Sequence, residues 1–266
     1  MNLSPGQLWF EILSEATTFS KEEPVLASFF HSSILCHESL ESALAYTLAE
    51  ILGNATVSKL SIKRVIDQAM AADADISKKM CMDINAYRDR DPACEYYSMP
   101  LLYFKGFHAL QVHRVAHYLW QHNRQAIALH LQNLCSEIFG VDIHPGASIG
   151  GGIMIDHATA VVIGETAVIE NNVSMLHSVT LGGTGNLSTS RHPRICSGVL
   201  ISAGAKVLGD IEIGEGAKIG AGSLVLEPVA AHTTVAGVPA RVVGVPREAS
   251  PALEMDQQIN GGGRLP

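Results

Sequence analysis

Residues 143–164 read IHPGASIGGGIMIDHATAVVIG, and the spacing of their aliphatic positions decides the fold. Ile143, Ile149, Ile155 and Val161 are six apart, and the row continues through Ala167, Val173 and Val179. A second row, Ile163, Ile169, Met175 and Leu181, keeps the same spacing two residues on. After an interruption the period resumes at Ile195, Ile201, Val207, Ile213, Ile219 and Val225. Glycine follows the aliphatic residue at Ile149, Ile163, Ile213 and Ile219. A six-residue repeat with an inward aliphatic side chain describes a parallel β-helix. Each hexapeptide is one short strand and a turn, and small residues allow the tight corner. Stacked coils align the aliphatic residues into one core and pair their backbones. A globin-like or doubly wound fold would need helical periodicity here, and there is none. Against that background Asp156 and His157 are out of place, an ionisable pair inside an otherwise apolar segment.

Upstream, residues 1–140 follow the helical period. Ser4-Pro5 reads as an N-cap with proline at the first helical position. Ser39 opens a run with Leu40, Leu44, Leu48, Ile51 and Leu52 at helical spacing, closed by Gly53. A further helix is expected from Ser58 to Met70. Pro100–Gly140 reads as one long helix or two, with Gly106 as the weak point. The expected organisation is an all-α segment over 1–140, a β-helix over 141–245 and a flexible tail over 246–266.

Composition narrows the partners. The 266 residues are 47% hydrophobic and 17% charged, which suits a globular chain. No run approaches 18 consecutive apolar residues, and the N-terminus lacks a basic start before an apolar stretch. A cytoplasmic protein without a membrane span is therefore expected. A net charge of −8 without a basic stripe argues against nucleic acid and anionic membranes as partners. The five cysteines (Cys36, Cys81, Cys94, Cys135 and Cys196) contain no C-x-x-C pair. That argues against a disulfide framework or a zinc ribbon and for burial as small hydrophobes.

The interruption of the repeat carries information of its own. Leu181 and Ile195 are fourteen residues apart, which is not a multiple of six. The intervening glycine, serine, threonine and proline read as an excursion loop over about 183–194, and loops on rigid scaffolds tend to carry function. Gly182-Gly183-Thr184-Gly185 is not followed by Gly-Lys-Ser/Thr, so no Walker-type phosphate loop is expected.

Together, the hexapeptides, DHAT around His157, VTLGGTG, RHP, AGVPAR and the upstream RDRDPA (Arg88–Ala93) with PLLYFKGFHALQ resemble the bacterial serine O-acetyltransferases. The likeness covers roughly residues 5–245. The wider hexapeptide acyltransferase superfamily shares the coils and AGVPAR but not RDRDPA. The resemblance implies left-handed coils and transfer of acetyl from acetyl-CoA to the hydroxyl of L-serine, the first step of cysteine synthesis. It also implies trimers with active sites between neighbouring subunits, pairing of two trimers into a hexamer through the helical domains, and inhibition by L-cysteine at the serine site. Acetyl-CoA is a co-substrate, and no tightly bound cofactor or metal is implied. Family tails commonly end in an isoleucine that inserts into O-acetylserine sulfhydrylase. Here the chain ends INGGGRLP, and Pro266 departs from that anchor.

A serine hydroxyl is a poor nucleophile at neutral pH, so acyl transfer needs a base within hydrogen-bond reach. His157 is the candidate, since an unperturbed imidazole is largely neutral at pH 7. A carboxylate on its other nitrogen would fix the tautomer. Asp156 is adjacent, but neighbouring strand residues point to opposite faces. The family pattern gives the orienting role to Asp142 and leaves Asp156 to hold substrate. By the same resemblance Asp91 takes the amino group of serine, and Arg191 and His192 take its carboxylate. A pantetheine arm could lie along the coils where Gly183, Ala203, Gly204 and Ala221 leave room, with Lys206, Lys218 and Arg241 as cations for its phosphates. His113 and His117 have zinc-like spacing but lack the Glu of HExxH, so a structural or surface role is expected. Acetylation of a sugar or an antibiotic is the alternative activity, a β-helix carbonic anhydrase a remoter one, and a purely structural scaffold the non-enzymatic reading.

Overall fold

Three of the helix starts are fixed by serine caps. The computed structural model describes residues 3–185 and 190–259. Helices α1 (Pro5–Glu22), α2 (Ala27–Phe30), α3 (Leu40–Leu52), α4 (Lys59–Ala72), α5 (Ala74–Arg90), α6 (Ser98–Tyr103), α7 (Lys105–Gln121) and α8 (Gln125–Phe139) precede the first strand. Ser4 and Gln7 form a capping box at α1. The side chains of Ser39 and Ser58 accept from the backbone of Ser42 and Ser61 at the starts of α3 and α4. Each such cap satisfies a backbone donor that the first helical turn leaves unpaired.

The stretch from Pro100 to Gly140 is divided among three helices, broken at Phe104 and at residues 122–124. Gly106 is not a break. It lies in the first turn of α7, where a Cβ would stand 2.0 Å from the carbonyl oxygen of Ile155. Glycine is present because the helix presses on the β-helix there.

From Val141 onward the strands wind into three parallel faces, the left-handed β-helix that the hexapeptide repeats call for. The first face stacks Val141–Ile143, Val161–Ile163, Thr180–Gly182, Lys206–Leu208 and Leu224–Val225. The second stacks Ser148–Ile149, Val168–Ile169, Arg194–Ile195 and Glu212–Ile213. The third stacks Met154–Ile155, Ser174–Met175, Leu200–Ile201, Lys218–Ile219 and Thr234–Gly237, with Ala240–Gly244 antiparallel at its end. The aliphatic rows are buried, as their period requires.

One feature of the rows is corrected. Val161 pairs with Val141, and Ile163 with Ile143, so the first coil is 20 residues long, where a coil without insertion is 18 (Arg194 to Glu212, Leu200 to Lys218) and the one that takes in the excursion loop is 26 (Val168 to Arg194). The row Ile143–Ile149–Ile155 therefore continues at Ile163, not at Val161. The two additional residues fall in the corner at 156–160. Three residues there, His157, Ala158 and Ala160, adopt positive φ of 56°, 56° and 61°.

The helices grip the open edge of the first coil. Tyr87, buried in α5, donates its hydroxyl to Ile155 O at 2.9 Å and accepts from Ile155 N at 3.1 Å. One hydroxyl thus replaces a missing neighbouring strand. Asp83 is fully buried; it accepts from Ile153 N, from Gln111 and twice from Arg114, and Arg114 also donates to the carbonyls of Ile149 and Gly150.

Where a flexible tail was expected from residue 246, residues 250–258 return across the solenoid. A short helix α9 (Pro251–Glu254) buries Ala252, whose carbonyl accepts from Ser174 Oγ at 2.7 Å. Gln257 and the Gln258 carbonyl accept from Ser202 and Lys218. The GGGRLP end and the loop tip at 186–189 lie outside the described residues. Of the cysteines, Cys81, Cys94 and Cys135 are buried, but Cys36 is exposed and Cys196 half-buried. No helix among the described residues is long and apolar enough to cross a membrane.

Candidate active site

His157 owes its position to the enlarged corner between the third and first faces. Ala160 N donates to Gly140 O, Ser178 N to Thr159 O, Gly204 N to His177 O and Gly222 N to Ala203 O, at 2.7–3.0 Å. These bonds stack His157, His177, Ala203 and Ala221 along one edge of the prism. At about 4.8 Å per coil, three coils separate the first from the last by about 14 Å. Ala203 and Gly204 are half-buried and Ala221 is exposed, so small side chains leave this edge shallow. The rings of His157 and His177 lie 5.8 Å apart.

The His157 side chain is 72% exposed, and its Nε2 lies 3.5 Å from Asp156 Oδ2. Strand alternation does not separate this pair because both residues sit in the corner, outside a strand. A cavity of about 500 Å³ is lined by Asp91, Asp156 and His157, with Tyr87, Lys105 and Gly106 of the helices forming part of its wall. Burial pushes the Asp156 carboxyl up, partly offset by His157 and reinforced by Asp91. Asp91 ends α5 as its C-cap and accepts from Ala93 N at 2.8 Å. Lys105 hydrogen-bonds Thr159 Oγ1.

Asp142 stands on the outward side of the first face, in register with Val162. Its Oδ1 accepts from Gln132 Nε2 at 2.7 Å. Arg191 and His192 lie at a different edge, between the first and second faces. Arg191 is paired with Glu165, whose carboxyl it holds below the usual range. The His192 ring packs on Gly164, where a Cβ would come within 2.0 Å of it. Gly183 is exposed beside it. Lys218 is buried, with its ammonium 2.6 Å from Gln258 O and 3.8 Å from Asp256. Lys206 and Arg241 are exposed. His113 and His117 belong to the interface of α7 with the first coil, where His117 Nδ1 meets Pro145 O at 2.7 Å.

One chain therefore brings Asp91, Asp156 and His157 to one cavity and puts Ala203, Gly204 and Ala221 on the same edge. Arg191, His192 and Gly183 occupy the neighbouring edge, with Asp142 on the face between. Sequence reasoning missed Thr166, Glu165, Tyr87 and Lys105. Thr166 and Glu165 directly follow Gly164 at a corner, a signal that was present but shared by every coil. Tyr87 carries no motif of its own, and Lys105 lies within PLLYFKGFHALQ, where nothing marks its contact with Thr159.

An imidazole beside carboxylates at the head of a shallow groove on hexapeptide coils defines an acyltransferase of the hexapeptide-repeat class. Residues 8–112 match the family model described as serine acetyltransferase, N-terminal, and residues 192–227 match bacterial transferase hexapeptide (six repeats). Over 254 residues the chain is 56% identical to the serine acetyltransferase of Escherichia coli K12, covering 96% of this chain and 93% of that protein. The crystal structure of serine acetyltransferase from Vibrio cholerae matches with a TM-score of 0.96 at 55% identity, over 97% of this chain and 100% of that one. A serine acetyltransferase in complex with cysteine matches at 0.94 and 52% identity, covering 96% and 99%. One in complex with CoA matches at 0.87 and 53%, covering 90% and 100%. The chain belongs to the serine acetyltransferase family.

Proposed function

We infer that the protein transfers the acetyl group of acetyl-CoA to the hydroxyl of L-serine, giving O-acetyl-L-serine and CoA, the first step of cysteine synthesis. The observation that carries this reading is the cavity in which two carboxylates, Asp91 and Asp156, face one exposed imidazole, His157. Two carboxylates suit an ammonium, which a sugar or a neutral alcohol does not offer. His157 takes the hydroxyl proton as the oxygen attacks the thioester carbonyl, and transfer is direct, without an acyl-enzyme. Alignment of the two substrates supplies much of the remaining acceleration.

The orienting carboxylate is assigned to Asp142. Gln132 engages its Oδ1, and the His157 ring is exposed. Arg191 and His192 are assigned to the substrate carboxylate. Because they stand on another edge than His157, the complete site forms between copies of the chain, in a trimer, and the helical segment pairs two trimers. The pantetheine arm follows the edge of Ala203, Gly204 and Ala221 past Gly183. Arg241 is a candidate for its phosphates, and Lys218 is one only once the tail leaves it. Cysteine, which shares the ammonium and carboxylate of serine, is the expected inhibitor. Association with O-acetylserine sulfhydrylase is tested by a pull-down.

The test is CoA thiol release from acetyl-CoA with L-serine and with a panel of sugars. Turnover with serine and none with sugars is expected. No turnover with serine would sink the assignment.

A further inference from the structure

We propose that Thr166 is a positioning residue that fixes His192 as the neutral ring protonated at Nε2, so that the substrate carboxylate meets the charge of Arg191 together with a neutral N–H donor. The proposal rests on the reading that Arg191 and His192 receive the carboxylate of serine.

The argument is one of donors and acceptors. Thr166 N donates to His192 Nδ1 at 3.2 Å. A backbone N–H cannot reverse its role, so Nδ1 must present a lone pair. Thr166 Oγ1 accepts from Arg191 N at 3.1 Å and from His192 N at 3.2 Å. With both lone pairs engaged, its single proton is directed at Nδ1, 2.8 Å away. Two donors converging on Nδ1 leave the ring proton on Nε2, and a second proton would find its site blocked. Burial and the neighbouring Arg191 push the His192 pKa down, in the same direction. Nε2 points between Gly164 and Gly183, and no acceptor for it is found among the described residues. Glycine at 164 is needed for this pose, since a Cβ would overlap the ring at 2.0 Å. The same four hydrogen bonds pin the returning end of the excursion loop to the corner after Gly164, so one hydroxyl sets both where Arg191 and His192 sit and which nitrogen donates.

Neutron diffraction from crystals of the full-length protein near pH 7.5 reads the tautomer directly. Deuterium on Nε2 and none on Nδ1 is expected; deuterium on Nδ1 overturns the proposal. Steady-state kinetics give the second arm. Thr166→Val should raise the KM for L-serine about tenfold or more, with the KM for acetyl-CoA within about twofold, because half-buried donors lose their partner only at the loop. Thr166→Ser, which keeps the hydroxyl, should restore the KM for serine. An unchanged KM for serine in Thr166→Val, or no restoration by Thr166→Ser, overturns the positioning role. Failure of the wild-type protein to acetylate serine would instead sink the underlying functional reading, while the neutron map would still report the tautomer.

Discussion

Gly6 and Gly106 occupy the same place in two helices, the second residue of α1 and of α7. Helix propensity alone makes alanine better at both, by about 0.5–1 kcal/mol. The surroundings divide them. At Gly6 a Cβ meets nothing within 4 Å, whereas at Gly106 it meets Ile155 O at 2.0 Å, Tyr87 Oη at 3.0 Å and Ala158 Cβ at 3.1 Å. Carbon–oxygen contacts settle near about 3.3 Å, so helix and strand must part by ~1 Å. Ile155 cannot yield cheaply, because the Tyr87 hydroxyl holds both its N–H and its carbonyl. Overpacking of this kind costs about 1–3 kcal/mol. Gly106→Ala is therefore expected to destabilise on balance, by about 1–2 kcal/mol once the propensity gain is set against the overpacking, and Gly6→Ala to be neutral or stabilising. Activity should divide the two more sharply. Ile155 immediately precedes Asp156 and His157, and a misplacement of ~1 Å at reacting groups costs on the order of 100-fold in rate. Urea unfolding followed by helical circular dichroism, with thiol-release kinetics, reads both effects. A Gly106→Ala protein as stable and as active as Gly6→Ala would refute the claim that this contact sets the corner carrying His157.

His157→Ala should lower kcat by about 10²–10⁴-fold while size-exclusion chromatography shows an unchanged assembly. Asp83→Ala strands the buried Arg114 guanidinium, and its urea midpoint should report a loss of about 3–5 kcal/mol. Asp156 predicts a trade between stability and function. Its carboxyl is raised by burial, so the folded state binds its proton more readily than the unfolded state. The penalty of holding the carboxylate is complete at neutral pH and is relieved as pH falls through the raised pKa. Asp156→Asn should therefore be more stable than wild type at pH 7, with the difference shrinking toward pH 4, while its KM for serine rises. A variant less stable than wild type at pH 7 would contradict this.

The fold was legible because a six-residue period leaves few alternatives once a dozen positions obey it. Ser4, Ser39 and Ser58 marked helix starts through chemistry confined to one turn. Gly106 was misread for a related reason. Within the sequence it looks like a flaw in a helix, and its cause is the carbonyl of Ile155, 49 residues away. The tail was misread likewise. Ser174, Ser202 and Lys218 look like outward polar positions of their coils, and only stacking places them in a line under residues 250–258. At the site, His157 stood out as an ionisable residue among aliphatics. Thr166 did not, because a threonine at a coil corner is ordinary until the loop folds back on it.

Between Ile143 and Val225 the inward rows depart from strict six-residue spacing in two places. Ile155 and Ile163 are eight apart, and Leu181 and Ile195 are fourteen apart. Those departures contain or border His157 in one case and Arg191 and His192 in the other. There is a physical reason for the coincidence. A regular hexapeptide devotes its residues to an inward aliphatic, a ladder of backbone bonds and a corner tight enough for small side chains. Such a corner has no slack to aim an imidazole. Two inserted residues turn the first departure into a wider bend with three left-handed residues, and eight turn the second into a loop that returns to Thr166. The rigid coils above and below then hold each irregularity in place, so positions are set by the regular part and chemistry by its interruptions. In a hexapeptide chain the most informative place to look for function is therefore where the period slips, even by as little as two residues.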